Sequence, residues 1–104
     1  MTTATIHGHQ VEVDSEGFIT DPAAWDEAMA TELANNIGLE LGDGHWRAIR
    51  FAREDFALTG ETPTLRRMAT AGGITTKEMF ELFPKKPAKK LAYVAGLPKP
   101  VGCV

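Results

Sequence analysis

The chain has 104 residues, 43% hydrophobic and 24% charged, and its eleven Lys+Arg against fourteen Asp+Glu give a net charge of −3. That is the size of one domain with a core of its own, its charge weighs against a broad nucleic-acid-binding face, and no apolar run approaches the ~20 residues of a membrane span. A single cysteine excludes an internal disulfide, a cysteine-rich zinc site and a CxxC redox motif; with no secretory signal in view, a cytoplasmic protein without a membrane partner is expected.

The first twenty residues read as β. Ile6, Val11 and Val13 flank His7-Gly8-His9, Asp14-Ser15-Glu16-Gly17 gives a second turn, and Phe18-Ile19 resumes an apolar strand. The pattern predicts a small antiparallel meander of two or three strands. From Asp21 the period changes. Asp21 is a candidate N-cap with Pro22 at the first helical position, and Trp25, Ala28, Met29 and Leu33 recur at helical spacing until Gly38. Asp43 is the next cap. Its helix sets Trp46, Ile49, Arg53 and Phe56 near one face, with the stems of Arg50 and Arg53 widening the apolar stripe, and ends before Gly60.

Thr62-Pro63 opens a third helix through Leu65, Met68 and Ala69, which Gly72-Gly73 stops. Thr75 and Glu78 form a capping box for a fourth, carrying Met79, Phe80, Leu82 and Phe83 up to Pro84. Pro87 opens a last helix through Leu91 and Val94, ended by Gly96. The expected fold is therefore α+β: a small amino-terminal β-meander packed on about five helices, in one globular unit of residues 1–95. Two tryptophans at helical spacing, Trp25 and Trp46, are expected in the core, and with no apolar stripe left over the free chain is expected to be a monomer.

Several features invite a functional reading that a plainer one outweighs. Leu65 to Phe83 resembles a helix-turn-helix, but the recognition position holds Glu78 and Glu81 and few base-reading donors, so direct nucleic-acid binding, as a regulator, is the third-ranked possibility. His7 and His9 lack a third ligand nearby, so no metal site is expected, and no cofactor. His45 beside Trp46 reads as a helix-boundary residue, with proton transfer near a thiol as its sharper alternative. Lys85, Lys86, Lys89 and Lys90 form a basic run that is either a solvated face or a docking patch for an acidic partner. No catalytic triad or phosphate loop makes the chain a self-sufficient enzyme.

The tail differs from all of this. Gly96-Leu97-Pro98-Lys99-Pro100-Val101-Gly102-Cys103-Val104 carries two prolines and two glycines and cannot be helical. It reads as a mobile extended arm, residues 96–104, able to span roughly 20 Å between Gly96 and Cys103. A thiol at such a tip suits entry into a partner's active site, for persulfide carriage or mixed-disulfide chemistry. Lys99 favours its thiolate and the Val104 carboxylate opposes it, so a partner's positive pocket is the expected activator.

This ending, with Glu16-Gly17-Phe18, Trp25, His45-Trp46 followed by Ile49 and Arg53, and Leu82-Phe83-Pro84 with Pro87-Ala88, resembles the DsrC/TusE family over nearly the whole chain. That family includes the gamma subunit of dissimilatory sulfite reductase and the tRNA-thiolation sulfur carrier TusE. The resemblance implies a β-meander on a helical array with a mobile arm, and a persulfide carried on Cys103, the catalytic position of a sulfurtransferase acting within a relay. Gly96, Leu97, Pro98, Lys99, Pro100, Gly102 and Val104 would fit and steer the arm. Sulfur-donor and sulfur-acceptor proteins are the implied partners. Family members working with sulfite reductase typically have a second arm cysteine where this chain has Ala92, so the resemblance favours a one-thiol, TusE-like relay, with an accessory gamma-type subunit of a sulfite reductase as the alternative. The acidic stretch Arg53-Glu54-Asp55-Phe56 departs from the family pattern and is read as a mark of a changed partner.

Overall fold

The computed structural model describes Thr2–Pro100, which form two strands, one 3-10 turn and five α-helices. Strands β1 (Thr2–Ile6) and β2 (His9–Val13) pair antiparallel, Thr2 opposite Val13 and Ile6 opposite His9. His7 and Gly8 both hold positive φ, 49° and 78°, as a two-residue hairpin loop between right-twisted strands requires. Alternation then covers Ile6, Val11 and Val13 and leaves Thr3, Thr5, Gln10 and Glu12 in water. The third strand shrinks to a single bridge, Val13 to Ile19. Asp14 explains this: its carboxylate accepts from the amides of Glu16 and Phe18 at 2.8 and 3.0 Å, folding the chain into a turn.

The first helix starts later than the sequence predicts. Asp21 caps and Pro22 leads, but they open only the 3-10 turn Pro22–Ala24. Helix α1 (Glu27–Asn36) has its own cap, Asp26, which accepts from Met29 N at 2.9 Å. Trp25 thus stands between the two in extended backbone, and Ala28 faces water; Met29, Ala30, Leu33 and Ala34 make the buried face. Helix α2 (Asp43–Thr59) has Gly42 as its N-cap, with Asp43 already in the first turn, and α3 (Leu65–Thr70) is capped by Thr64 rather than Thr62. The Thr75–Glu78 capping box is present on α4 (Thr76–Leu82), and α5 (Pro87–Ala95) runs between the expected Pro87 and Gly96.

Helix α5 is the central post. It packs against α1, α2 and α4, and Pro87, Ala88, Leu91, Ala92, Val94 and Ala95 are all buried. Phe83, Ile19, Leu33, Ile49, Met68 and Ile74 complete the core, while Trp25 and Trp46 lie half-buried at its margin. Among the described residues one charged side chain is buried, Asp55, and Arg67 on α3 answers it with Nε and Nη2 at 3.1 and 2.8 Å from Oδ1. The acidic stretch flagged in the sequence therefore holds α2 to α3, and the carboxylate raises the Arg67 pKa, chiefly through the hydrogen bond and then through its charge. The architecture is α+β, as the sequence predicts. No described helix is long and apolar enough to cross a membrane.

Candidate functional site

The last turn of any helix leaves carbonyls without partners. On α5 those carbonyls are met by side chains from distant parts of the chain. Trp25 Nε1 donates to Val94 O at 2.8 Å, and Arg53 Nη1 donates to Ala95 O at 2.7 Å. Arg53 Nη2 reaches Pro22 O at 2.9 Å, and the guanidinium lies 4.1 Å from the centre of the Trp25 ring, a cation–π contact. Partial burial draws the Arg53 pKa down. Trp25, Arg53 and the end of α5 thus form one clamp, drawn from three parts of the fold.

Gly96 closes the helix at φ 70°, and its amide and that of Leu97 both return to Ala92 O. A Cβ at position 96 would fall 2.3 Å from Trp25 Cδ1. Only glycine satisfies both the left-handed backbone and the pressed indole.

The chain beyond Gly96 does not leave the body at once. Leu97 is 0% exposed and belongs to the core, and burying such a side chain contributes about 1.5–3 kcal/mol. Thr62 Oγ1 donates to Pro98 O at 2.7 Å, Lys99 Nζ pairs with Glu16, and Pro100 is buried. In the structure Gly96–Pro100 thus form a collar docked on the body, at the point where the sequence reading expects the arm to begin. The remaining candidates, Gly102, Cys103 and Val104, lie outside the described residues, as does Val101.

Glu16 is the hub of the collar. Hydrogen bonds from Lys99 and then Lys89, whose Nζ is 3.3 Å away, hold its carboxyl below the usual glutamate range. The sequence points four residues of this arrangement to other roles: Thr62 reads as a helix cap, Trp25 as a core residue, Arg53 as an apolar stem and Glu16 as a turn residue. The available signal was an arginine on the same helical face as Ile49 and Phe56, since a cation placed toward a core needs acceptors.

Other candidates resolve into structural roles. His45 accepts from Gly42 N at its Nδ1 (3.1 Å) and pairs its Nε2 with Leu82 O (2.7 Å), edge-on to Phe83, so it ties α2 to the end of α4. His7 and His9 lie exposed at the hairpin turn, and no described cluster of three or more metal-ligating side chains is present. The exposed face of α4 carries Lys77, Phe80 and Glu81, and Glu78 is engaged by Arg47 at 3.0 Å.

A family profile described as "DsrC like protein" matches residues 5–104. The chain is 36% identical to a Salmonella typhimurium protein named Sulfurtransferase TusE, over 93% of this chain and 95% of that one, and 34% identical to its Escherichia coli K12 namesake over the same shares. Among solved structures, Allochromatium vinosum DsrC superposes with a TM-score of 0.84 at 36% identity, covering 98% of this chain and 97% of that one. The oxidised gamma-subunit of dissimilatory sulfite reductase from Archaeoglobus fulgidus superposes at 0.72 with 31% identity, over 99% and 100%.

Proposed function

The chain belongs to the DsrC-like family, and on that footing we propose that its sulfur relay runs through Cys103. The protein is a sulfur-relay carrier. In the step we assign to Cys103, its thiolate attacks the outer sulfur of a donor persulfide. The donor's S–S bond breaks, its electron pair leaves on the donor thiolate, and a new S–S bond joins the transferred sulfur to Cys103. An acceptor protein's nucleophile then takes the outer sulfur by the same exchange. No net oxidant or reductant is needed.

The observation that supports this reading is the collar, whose described residues run to Pro100, three positions before the chain's one cysteine. Covalent geometry lets Cys103 stand no more than roughly 11 Å from Pro100. With the collar docked, the thiol serves a partner lying against the body; releasing Leu97, Pro98 and Lys99 would lengthen its reach toward the roughly 20 Å of the free arm. On this reading, release of the Lys99–Glu16 pair frees the chain that leads to Cys103.

Ala92 supports the TusE-like form of the relay. The chain's one cysteine is Cys103, so no second thiol stands at position 92, inside α5, to close an intramolecular disulfide. The partners are sulfur-donor and sulfur-acceptor proteins of the cytoplasm. The likeness to DsrC structures favours one further reading, an accessory subunit of a sulfite reductase, and a native pull-down that recovered a sirohaem reductase in place of tRNA-modifying proteins would select it.

Incubation with a cysteine desulfurase and cysteine, followed by intact mass, tests the central claim. A gain of about 32 Da on Cys103, reversed by reductant and absent from Cys103→Ser, is expected. Undiminished sulfur transfer by Cys103→Ser in a reconstituted relay would overturn it.

A further inference from the structure

An open cleft of about 310 Å³ lies between the turn after β2 and the first turns of α5, floored by Phe18, Ile37 and Tyr93 and rimmed by Lys86, Lys89 and Lys90, with Glu16 at one edge. Phe18 and Tyr93 meet edge to face at 5.9 Å and make a firm apolar floor. We propose that this cleft is the docking site for an acidic segment of a relay partner, one that places an apolar side chain on the floor and carboxylates on the lysine rim. The proposal rests on the relay reading for the partner's role, and on the cleft alone for its chemistry.

Charge complementarity selects the occupant. The chain as a whole carries −3, yet three lysines face one glutamate here. A solvated lysine run needs no apolar floor, whereas a peptide that pairs carboxylates with a hydrophobic anchor uses both parts. A nucleic-acid backbone would use the cations and leave the floor unfilled, and the negative balance elsewhere opposes its approach. Two further features fit. Lys86 caps α5 with no side-chain hydrogen bond, leaving the positive end of the helix dipole beside the rim. Lys85 and Lys86 also hold φ of 58° and 28°, a positive-φ pair that non-glycine residues adopt only under strain and that turns the chain at this corner of the rim.

The cleft is joined to the arm. Glu16 bridges Lys89 of the rim to Lys99 of the collar. A carboxylate arriving at Lys89 therefore competes with Glu16, the same group that latches the arm. Docking at this cleft sets a partner beside the collar and acts on the arm's latch through one side chain.

The test uses the full ¹⁵N-labelled chain and its Cys103→Ser form, titrated with the peptide EDFDEL, its neutral counterpart QNFNQL, and an oligouridine. The acidic peptide is expected to shift the amides of Lys86, Lys89, Lys90 and Tyr93 equally in both forms. Its affinity should fall about tenfold or more in the Lys86→Glu/Lys90→Glu double variant and weaken with added salt. Equal binding of QNFNQL, tighter binding of oligouridine at the same amides, concentration-dependent shifts there without any peptide, or no response at these residues would each overturn the proposal. Sulfur loading is read separately by mass. A chain that binds EDFDEL but never takes sulfur would sink the relay reading and leave the docking surface standing.

Discussion

A methyl group at position 96 would meet Trp25 and would also force an L side chain into φ 70°. Gly96→Ala is therefore expected to lower stability by about 2–4 kcal/mol, summed from the strained backbone and the overpacked contact, read as a lower urea midpoint with an unchanged slope. Glu16 has a different signature. Lys99 and Lys89 depress its pKa below the ordinary 4.5, so its contribution is complete above that value and is lost as pH falls through the lower folded value. The protection factor of the Leu97 amide, which donates to Ala92 O, should then be high at neutral pH and fall below pH 4.5, and Glu16→Gln should remove that acid limb. The sequence marks position 96 correctly as a helix stop, because a glycine after an apolar run has a local meaning. It gives no local sign of Trp25 behind it, since that contact crosses 69 positions to Val94.

Elements repeat the pattern. The Thr75–Glu78 box and the Pro87-to-Gly96 helix were legible because cap and stop lie within a few residues of the elements they bound. The start of α1 was not, because Asp21-Pro22 and Asp26 are both competent caps and the choice is made by Trp25, whose indole must reach Val94 O and so cannot join the helix. Thr62 and Thr64 present the same ambiguity, settled when Thr62 turns its hydroxyl to Pro98 O and Thr64 caps α3. The end of α5 depends on such distant donors. Trp25→Phe keeps an aromatic side chain but removes the donor to Val94 O, and the lost hydrogen bond alone should cost about 0.5–1.5 kcal/mol. Arg53→Met should further free the end of α5, seen as faster amide exchange at Gly96 and Leu97 with β1 and β2 unaffected. Equal acceleration across the whole chain would instead mean that Arg53 merely supports global stability.

At the scale of the molecule, the buried post α5 leads straight into a collar held by Leu97, Thr62 and Glu16. Loading of Cys103 and its delivery should therefore separate. Thr62→Ala with Lys99→Ala is expected to leave the mass gain with a small-molecule sulfane donor unchanged while altering the transfer rate to a protein acceptor. Coincident changes in both would argue against a collar that governs reach. The helical array and hairpin were open to sequence reading because each is built from periodic, local signals; the collar was not, because Pro and Gly in a tail suggest freedom while a single buried Leu97 cancels it. The stacked Trp25 has a practical consequence. Its indole touches a cation and lies close against Gly96, with its nitrogen bound to α5. In a Trp46→Phe background its fluorescence becomes an intrinsic optical gauge of the collar, one that reports in real time when an arriving partner loosens the arm from the body.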